Sequence, residues 1–102
     1  MSSSAPELHA TPVASSVTVT EEFLVVDLAD GRTLSVPLAW YPRLWHGTPA
    51  ERANFRLIGR GDGIHWPDLD EDLSVDGLLA GRGSGESQDS LKQWLAARGS
   101  AT

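Results

Sequence analysis

The sequence predicts an α+β domain: a small antiparallel sheet of about four strands, short helices packed on one side, and a C-terminal helix. Three observations carry that expectation. Branched apolar residues alternate with polar ones between Val17 and Leu38, which is the two-residue period of a half-buried strand. Helix-start chemistry recurs further along, at Thr48-Pro49-Ala50-Glu51 and at Ser74. A chain of 102 residues holds one domain and not two.

Residues 1–14 are rich in Ser, Ala, Thr and Pro without an apolar period, and read as a mobile tail. Val17 and Val19 then alternate with Thr18 and Thr20 as a first strand, followed by strands at Phe23–Leu28 and Thr33–Leu38. The parity of the hairpin at Asp30-Gly31 can be worked out. A two-residue loop would set Leu28 against Thr33 and Val26 against Ser35. A three-residue loop, Ala29-Asp30-Gly31, sets Val26 against Leu34 and Leu24 against Val36, and so collects the branched side chains on one face. It also puts Gly31 at the left-handed position closing a type I turn with a bulge. The three-residue loop is the expectation. Pro37 has no N–H for a ladder and belongs at a strand end or a free edge.

Trp40 to Gly47 reads as a turn into a short helix around Pro42–Trp45. Thr48 and Glu51 form a capping box with Pro49 at the first helical position, so a second short helix spans about 48–54. Phe55, Leu57 and Ile58 make a fourth strand. Gly59, Gly61 and Gly63 carry the chain through a flexible passage to Ile64-His65-Trp66-Pro67. Ser74 caps a third short helix over Val75, Leu78 and Leu79, stopped by Gly81. The composition of 81–85 is that of a linker, and 87–98 fits a terminal helix with Leu91, Trp94 and Leu95 on one stripe. The organisation is therefore a tail (1–14), one domain (15–83), and a linker with a C-terminal helix (84–102).

Charge and composition exclude several functions. Eight basic residues against fourteen acidic ones leave a formal charge of −6, the wrong sign for a phosphate-binding surface, so no direct nucleic-acid contact is expected. The absence of cysteine removes disulfides, thiolate nucleophiles and zinc–sulfur sites. Apolar runs such as Phe23–Val26 and Leu38–Tyr41 are too short to span a bilayer. The N-terminus lacks the basic and apolar regions of a secretory signal, and the expected location is the cytoplasm.

Acidic charge gathers between Gly61 and Gly81, where Asp62, Asp68, Asp70, Glu71, Asp72 and Asp76 meet no Lys or Arg. A calcium loop starting at Asp68 fails, because Leu73 and Leu79 stand where it needs Gly and Glu. Paired carboxylates with His65 alongside would suit a metal-dependent hydrolase using His65, Asp68 and Asp70, though no spacing singles out two of them. The plainer reading is a solvated turn whose carboxylates favour the following helix N-terminus. Arg43, Arg52, Arg56 and Arg60 form the complementary basic stretch. They either pair within the molecule or polarise a surface that steers a charged protein.

The glycine runs match neither a dinucleotide fingerprint nor a Walker loop, and no Gly-x-Ser-x-Gly elbow surrounds a serine. No catalytic residue, cofactor or metal is expected, and the chain does not read as an enzyme. Of the tryptophans, Trp66 reads as core, while Trp45 and Trp94 remain candidate contact residues. The helix bearing Trp94 is too short to persist alone and must dock on its own domain or on another protein.

Asp30-Gly31-Arg32, Val36-Pro37-Leu38 and Tyr41-Pro42-Arg43-Leu44 resemble a family of small bacterial proteins catalogued as domain of unknown function 2442. The likeness continues through Glu51-Arg52-Ala53-Asn54. It is most specific in Gly63-Ile64-His65-Trp66-Pro67-Asp68-Leu69-Asp70-Glu71-Asp72-Leu73-Ser74, and it covers about residues 17–81. The resemblance implies a small α+β domain and no established activity. It also implies a setting, since some relatives are encoded beside another small family in arrangements like toxin–antitoxin pairs. Others continue into a helix-turn-helix, for which the residues after Gly83 do not suffice.

The expected function is a protein-interaction module with a charge-polarised surface, antitoxin-like in its sharper version. Its partner would be a small basic protein or the chain itself as a homodimer. The candidate surface comprises Arg43, Trp45, Arg52, Arg56, His65, Asp68, Asp70, Glu71, Asp72 and Trp94.

Overall fold

A computed structural model describes residues 12–99. The strands are Ala14–Val19 (β1), Phe23–Leu28 (β2), Thr33–Pro37 (β3), Arg56–Ile58 (β4), Gly63–Trp66 (β5) and Glu71–Ser74 (β6). The helices are Pro42–Trp45 (α1), Pro49–Ala53 (α2), Val75–Leu79 (α3) and Gln88–Gly99 (α4), with a 3-10 turn at Leu38–Trp40. No helix among the described residues is long and apolar enough to cross a membrane.

The strands form two three-stranded antiparallel sheets, β1-β2-β3 and β4-β5-β6. This corrects the expectation of one sheet with about four strands. The fourth strand does not join the first three; it opens a second sheet with two segments that read as a passage and a wet turn. Each is only four residues long, too short to register a period. The three consecutive acids Asp70, Glu71 and Asp72 also disfavour a strand on composition. The α+β class, the short helices and the C-terminal helix are as expected.

The first sheet follows the parity argument. Val26 opposes Leu34 and Leu24 opposes Val36, while Val17 and Val19 of β1 extend the same two rows. Leu28 N–H donates to the Arg32 carbonyl at 2.8 Å, closing the three-residue loop, and Gly31 takes a φ of 97° there. Pro37 ends β3. On the opposite face Asp27 accepts hydroxyl hydrogen bonds from Ser16 at 2.7 Å and Thr33 at 2.8 Å. Those bonds hold its carboxyl below the usual range.

One core serves both sheets. Leu24 and Val26 from β2 meet Leu38, Tyr41, Leu44, Ile64, Trp66 and Leu69, all essentially without exposure. Burying each such aliphatic side chain contributes about 1.5–3 kcal/mol. Trp66 is core as expected; its indole N–H donates to the Arg52 carbonyl at 3.0 Å, and its ring lies 6.3 Å from that of Phe55.

β1 starts at Ala14, ahead of the strand expected from Val17. Ala14 is buried, and its N–H donates to the Gly61 carbonyl at 2.8 Å. Gly61 has a φ of 102°, and a Cβ there would lie 2.5 Å from the Ala14 carbonyl oxygen. The glycine passage is thus a close crossing of two chain segments, which only glycine fits. Residues 1–11 of the expected tail lie outside the described residues.

Helix ends follow local chemistry. The Thr48–Glu51 capping box forms in both directions, and the Ser74 hydroxyl accepts from Gly77 N–H at 2.9 Å. The Gly-rich stretch before α4 is held in place: Ser84 N–H donates to the Trp40 carbonyl at 3.0 Å, and the Tyr41 hydroxyl donates to the Arg82 carbonyl at 2.7 Å.

Candidate functional site: a charged cleft beside an edge strand

Between β6 and the strap formed by residues 82–86 runs a cleft of about 610 Å3. Tyr41, Arg43 and Leu78 contribute to its lining, and Ser90 of α4 borders it. The local sequence positions each part. The buried Tyr41 anchors the entry to α1, so Arg43 leaves the first turn of that helix toward the cleft. Pairing with β5 fixes Glu71 opposite Trp66 and Asp72 opposite His65.

Arg43 is the organising charge. Its Nε and Nη2 grip the Glu86 carboxylate at 3.0 and 2.6 Å, and Nη1 donates to the Leu69 and Asp70 carbonyls at 3.2 Å each. The Asp70 carboxylate stands 3.7 Å away. Bidentate arginine–carboxylate pairs of this kind are among the stronger polar contacts. Glu86 accepts a further bond from the Ser90 hydroxyl at 2.7 Å. Arg43 above all, then Ser90, hold its carboxyl below the usual range, and the Glu86 bonds raise Arg43 in turn.

The Arg43 and Arg98 guanidinium groups both lie over the Trp94 ring, 5.0 and 4.7 Å from its centroid. Arg98 also grips Glu51 at 3.0 and 2.8 Å, and with the Thr48 backbone it holds that carboxyl down at about 2. Helix α4 therefore docks on its own domain, mainly through ion pairs and one half-buried tryptophan.

Glu71 is different. It stands on the core-facing side of β6, and no hydrogen bond holds its carboxylate among the described residues. Burial pushes its carboxyl up to about 7, with the charges of Glu86, Asp72 and Asp70 adding to the rise and Arg43 only partly opposing it. Burial, and secondarily the Glu71 charge, raise the Tyr41 hydroxyl.

Of the residues expected from sequence, the structure brings Arg43, Asp70, Glu71 and Asp72 into the cleft, with Trp94 behind Arg43. The others lie elsewhere. His65 pairs with Asp72 at 2.5 Å on the outer face of the second sheet, in one row with the exposed Arg56. Asp68 accepts from Asn54 at 2.9 Å. Arg52 donates to the Leu44 and Trp45 carbonyls at 2.8 and 2.7 Å, closing the end of α1, and the Trp45 side chain is exposed. His65, Asp68 and Asp70 thus serve three different partners. Among the described residues no three His, Asp or Glu side chains converge as metal ligands would. Sequence reasoning missed Tyr41, Arg82, Ser84, Glu86 and Ser90 as lining residues. The Glu86–Ser90 spacing of one helical turn is the only trace that a reader of the sequence could have followed.

Fold and site together define a small α+β domain of two antiparallel meanders, with a charged cleft at the edge of the second. The chain belongs to the family described as protein of unknown function (DUF2442), whose model matches residues 14–84. The match covers both sheets and most of the strap but not α4. A crystal structure of a protein of unknown function from Rhodospirillum rubrum is similar to it. Identity is 28% over 78% of this chain and 98% of that one, with a TM-score of 0.68. An uncharacterised protein of Chromobacterium violaceum, solved in solution by NMR, is 27% identical over 95% of this chain and 86% of that one, with a TM-score of 0.61. No curated protein matches the chain.

Proposed function

We propose that the chain is a protein-interaction module that receives a basic partner at the acidic cleft. One observation carries this reading: four acidic residues, Asp70, Glu71, Asp72 and Glu86, border the cleft against two arginines, Arg43 and Arg82. The Arg43–Glu86 pair cancels within the molecule. Even with Glu71 protonated, Asp70 and Asp72 outnumber Arg82, so the net field offered to a visitor is negative. Complementary charge raises association rates and excludes like-charged competitors. In the antitoxin-like version the partner is a small basic protein whose own working surface is covered on binding.

The test is co-expression with the product of the neighbouring reading frame, followed by size-exclusion chromatography at low and high salt. A stable complex that weakens as salt shortens the Debye length from about 10 to 3 Å supports the proposal. Separate elution at every salt concentration refutes it.

A further inference from the structure

The cleft has a property that charge alone does not give it. All five consecutive residues from Asp70 to Ser74 border it. Successive side chains of a strand leave opposite faces. Here Glu71 and Leu73 belong to the face of Trp66 and Ile64, and Asp72 and Ser74 to the face of His65 and Gly63. A cleft bordered by both sets runs along the edge of β6 and not across either face.

That edge is open. β6 pairs with β5 alone, and among the described residues no backbone group of Glu71–Ser74 bonds to anything on its other side. Unpaired ladders of this kind are templates for another strand. The facing wall is the strap, anchored from behind by Trp40 and Tyr41. Residues 82–86 and Asp70–Ser74 line the same cleft, so the slot lies between strap and strand. Its volume of about 610 Å3 lies within the roughly 300–1,000 Å3 of ligand sites. Four strand residues span about 13 Å, enough for a partner strand of similar length.

We propose that the cleft binds an extended peptide segment as a fourth strand on β6, with a Lys or Arg side chain of that segment seated against Glu71. This rests on the interaction-module reading and adds to it the mode of binding and the shape of the ligand. The acidic residues make the slot selective: a strand carrying acids is repelled, and a purely apolar one forgoes the ion pair with ionised Glu71.

The experiment titrates the isotope-labelled full chain with the blocked pentapeptide acetyl-Thr-Val-Lys-Val-Thr-amide and follows backbone amides by NMR. Saturable shifts concentrated at Glu71–Ser74 and Gly83–Gly85 are expected. Two versions of the peptide carry backbone N-methyl groups on alternate residues, one on the valines and the other on the remaining three. One of them must bind at least tenfold more weakly than the other, because only one set of N–H groups faces β6. Replacing the peptide lysine by glutamate weakens binding at least tenfold. At pH 8, where the Glu71 carboxyl is ionised, Glu71→Gln in the protein, with an otherwise unchanged spectrum, weakens it at least threefold.

Equal binding of both methylated peptides, shifts centred elsewhere, or no binding at millimolar peptide overturns strand addition. If the peptide fails while the basic protein partner still co-elutes, the mode is wrong and the module reading stands. If co-elution fails and the peptide behaves as described, the reverse holds.

Discussion

Replacing Glu71 by glutamine should stabilise the folded chain above neutral pH and change little near pH 4. Folding moves this carboxyl from 4.5 to about 7, chiefly through burial. At 1.36 kcal/mol per tenfold change in proton affinity, the upper bound is about 3 kcal/mol. Glu71 is only partly buried and solvent screens it, so about 1–2 kcal/mol is the expected effect. The sign follows from proton counting. Between pH 4.5 and about 7 the folded carboxyl keeps a proton that the unfolded one has lost, so rising pH favours unfolding across that window.

Glu51 acts in the opposite sense. Its carboxyl is held at about 2 by Arg98, so its contribution is complete above 4.5 and is lost as pH falls toward 2. The Glu86 carboxyl is depressed as well, by Arg43 first, and adds to the acid limb. Stability should therefore rise from strong acid to about pH 4.5 and then decline toward neutrality, and Glu71→Gln should flatten only the decline. Urea unfolding followed by tryptophan fluorescence at pH 4, 6 and 8 measures this. The melting temperature at pH 8 should rise by about 4–8 °C per kcal/mol gained. A variant equal to the parent at pH 8, or displaced equally at pH 4 and 8, would refute the reasoning.

Three further substitutions test the frame. Gly61→Ala combines a positive φ with a collision against the Ala14 carbonyl; it should cost about 2 kcal/mol or more in chemical denaturation. Arg43→Ala strands the Glu86 carboxylate and two carbonyls; it should cost about 2–3 kcal/mol, and hydrogen exchange should quicken in α4 before the sheets. Thr48→Ala removes one half of the capping box and should lower unfolding free energy by about 1 kcal/mol, without altering the amide spectrum of the second sheet.

Much of this architecture could be read from local sequence, for identifiable reasons. The register of the first hairpin followed from the parity of Val26, Leu34, Leu24 and Val36, because a one-residue slip would turn every branched side chain outward. Thr48, Glu51 and Ser74 announced helix starts, since caps depend on chemistry within one turn. The second sheet did not announce itself. Ile64 and Trp66 are buried, but β5 and β6 are too short to show alternation. The burial of Glu71 also depends on Trp66 and Arg43 arriving from elsewhere in the chain. Half the site was visible as an acidic run; its far wall was not. Glu86 meets Arg43 across 43 residues, and nothing in the composition of a Gly-rich segment says that Trp40 and Tyr41 will pin it down.

The two sheets are meanders in which every ladder joins strands adjacent in sequence, and this bears on how the molecule is assembled in time. Closing short hairpins is entropically cheap, and low contact order favours rapid collapse. Each meander can therefore gain its pairing early and independently. The meeting of distant segments, where Ala14 reaches Gly61, closes a longer loop and should be the slower event. A mutation at that junction should slow refolding, whereas one in an outlying turn should mainly hasten unfolding.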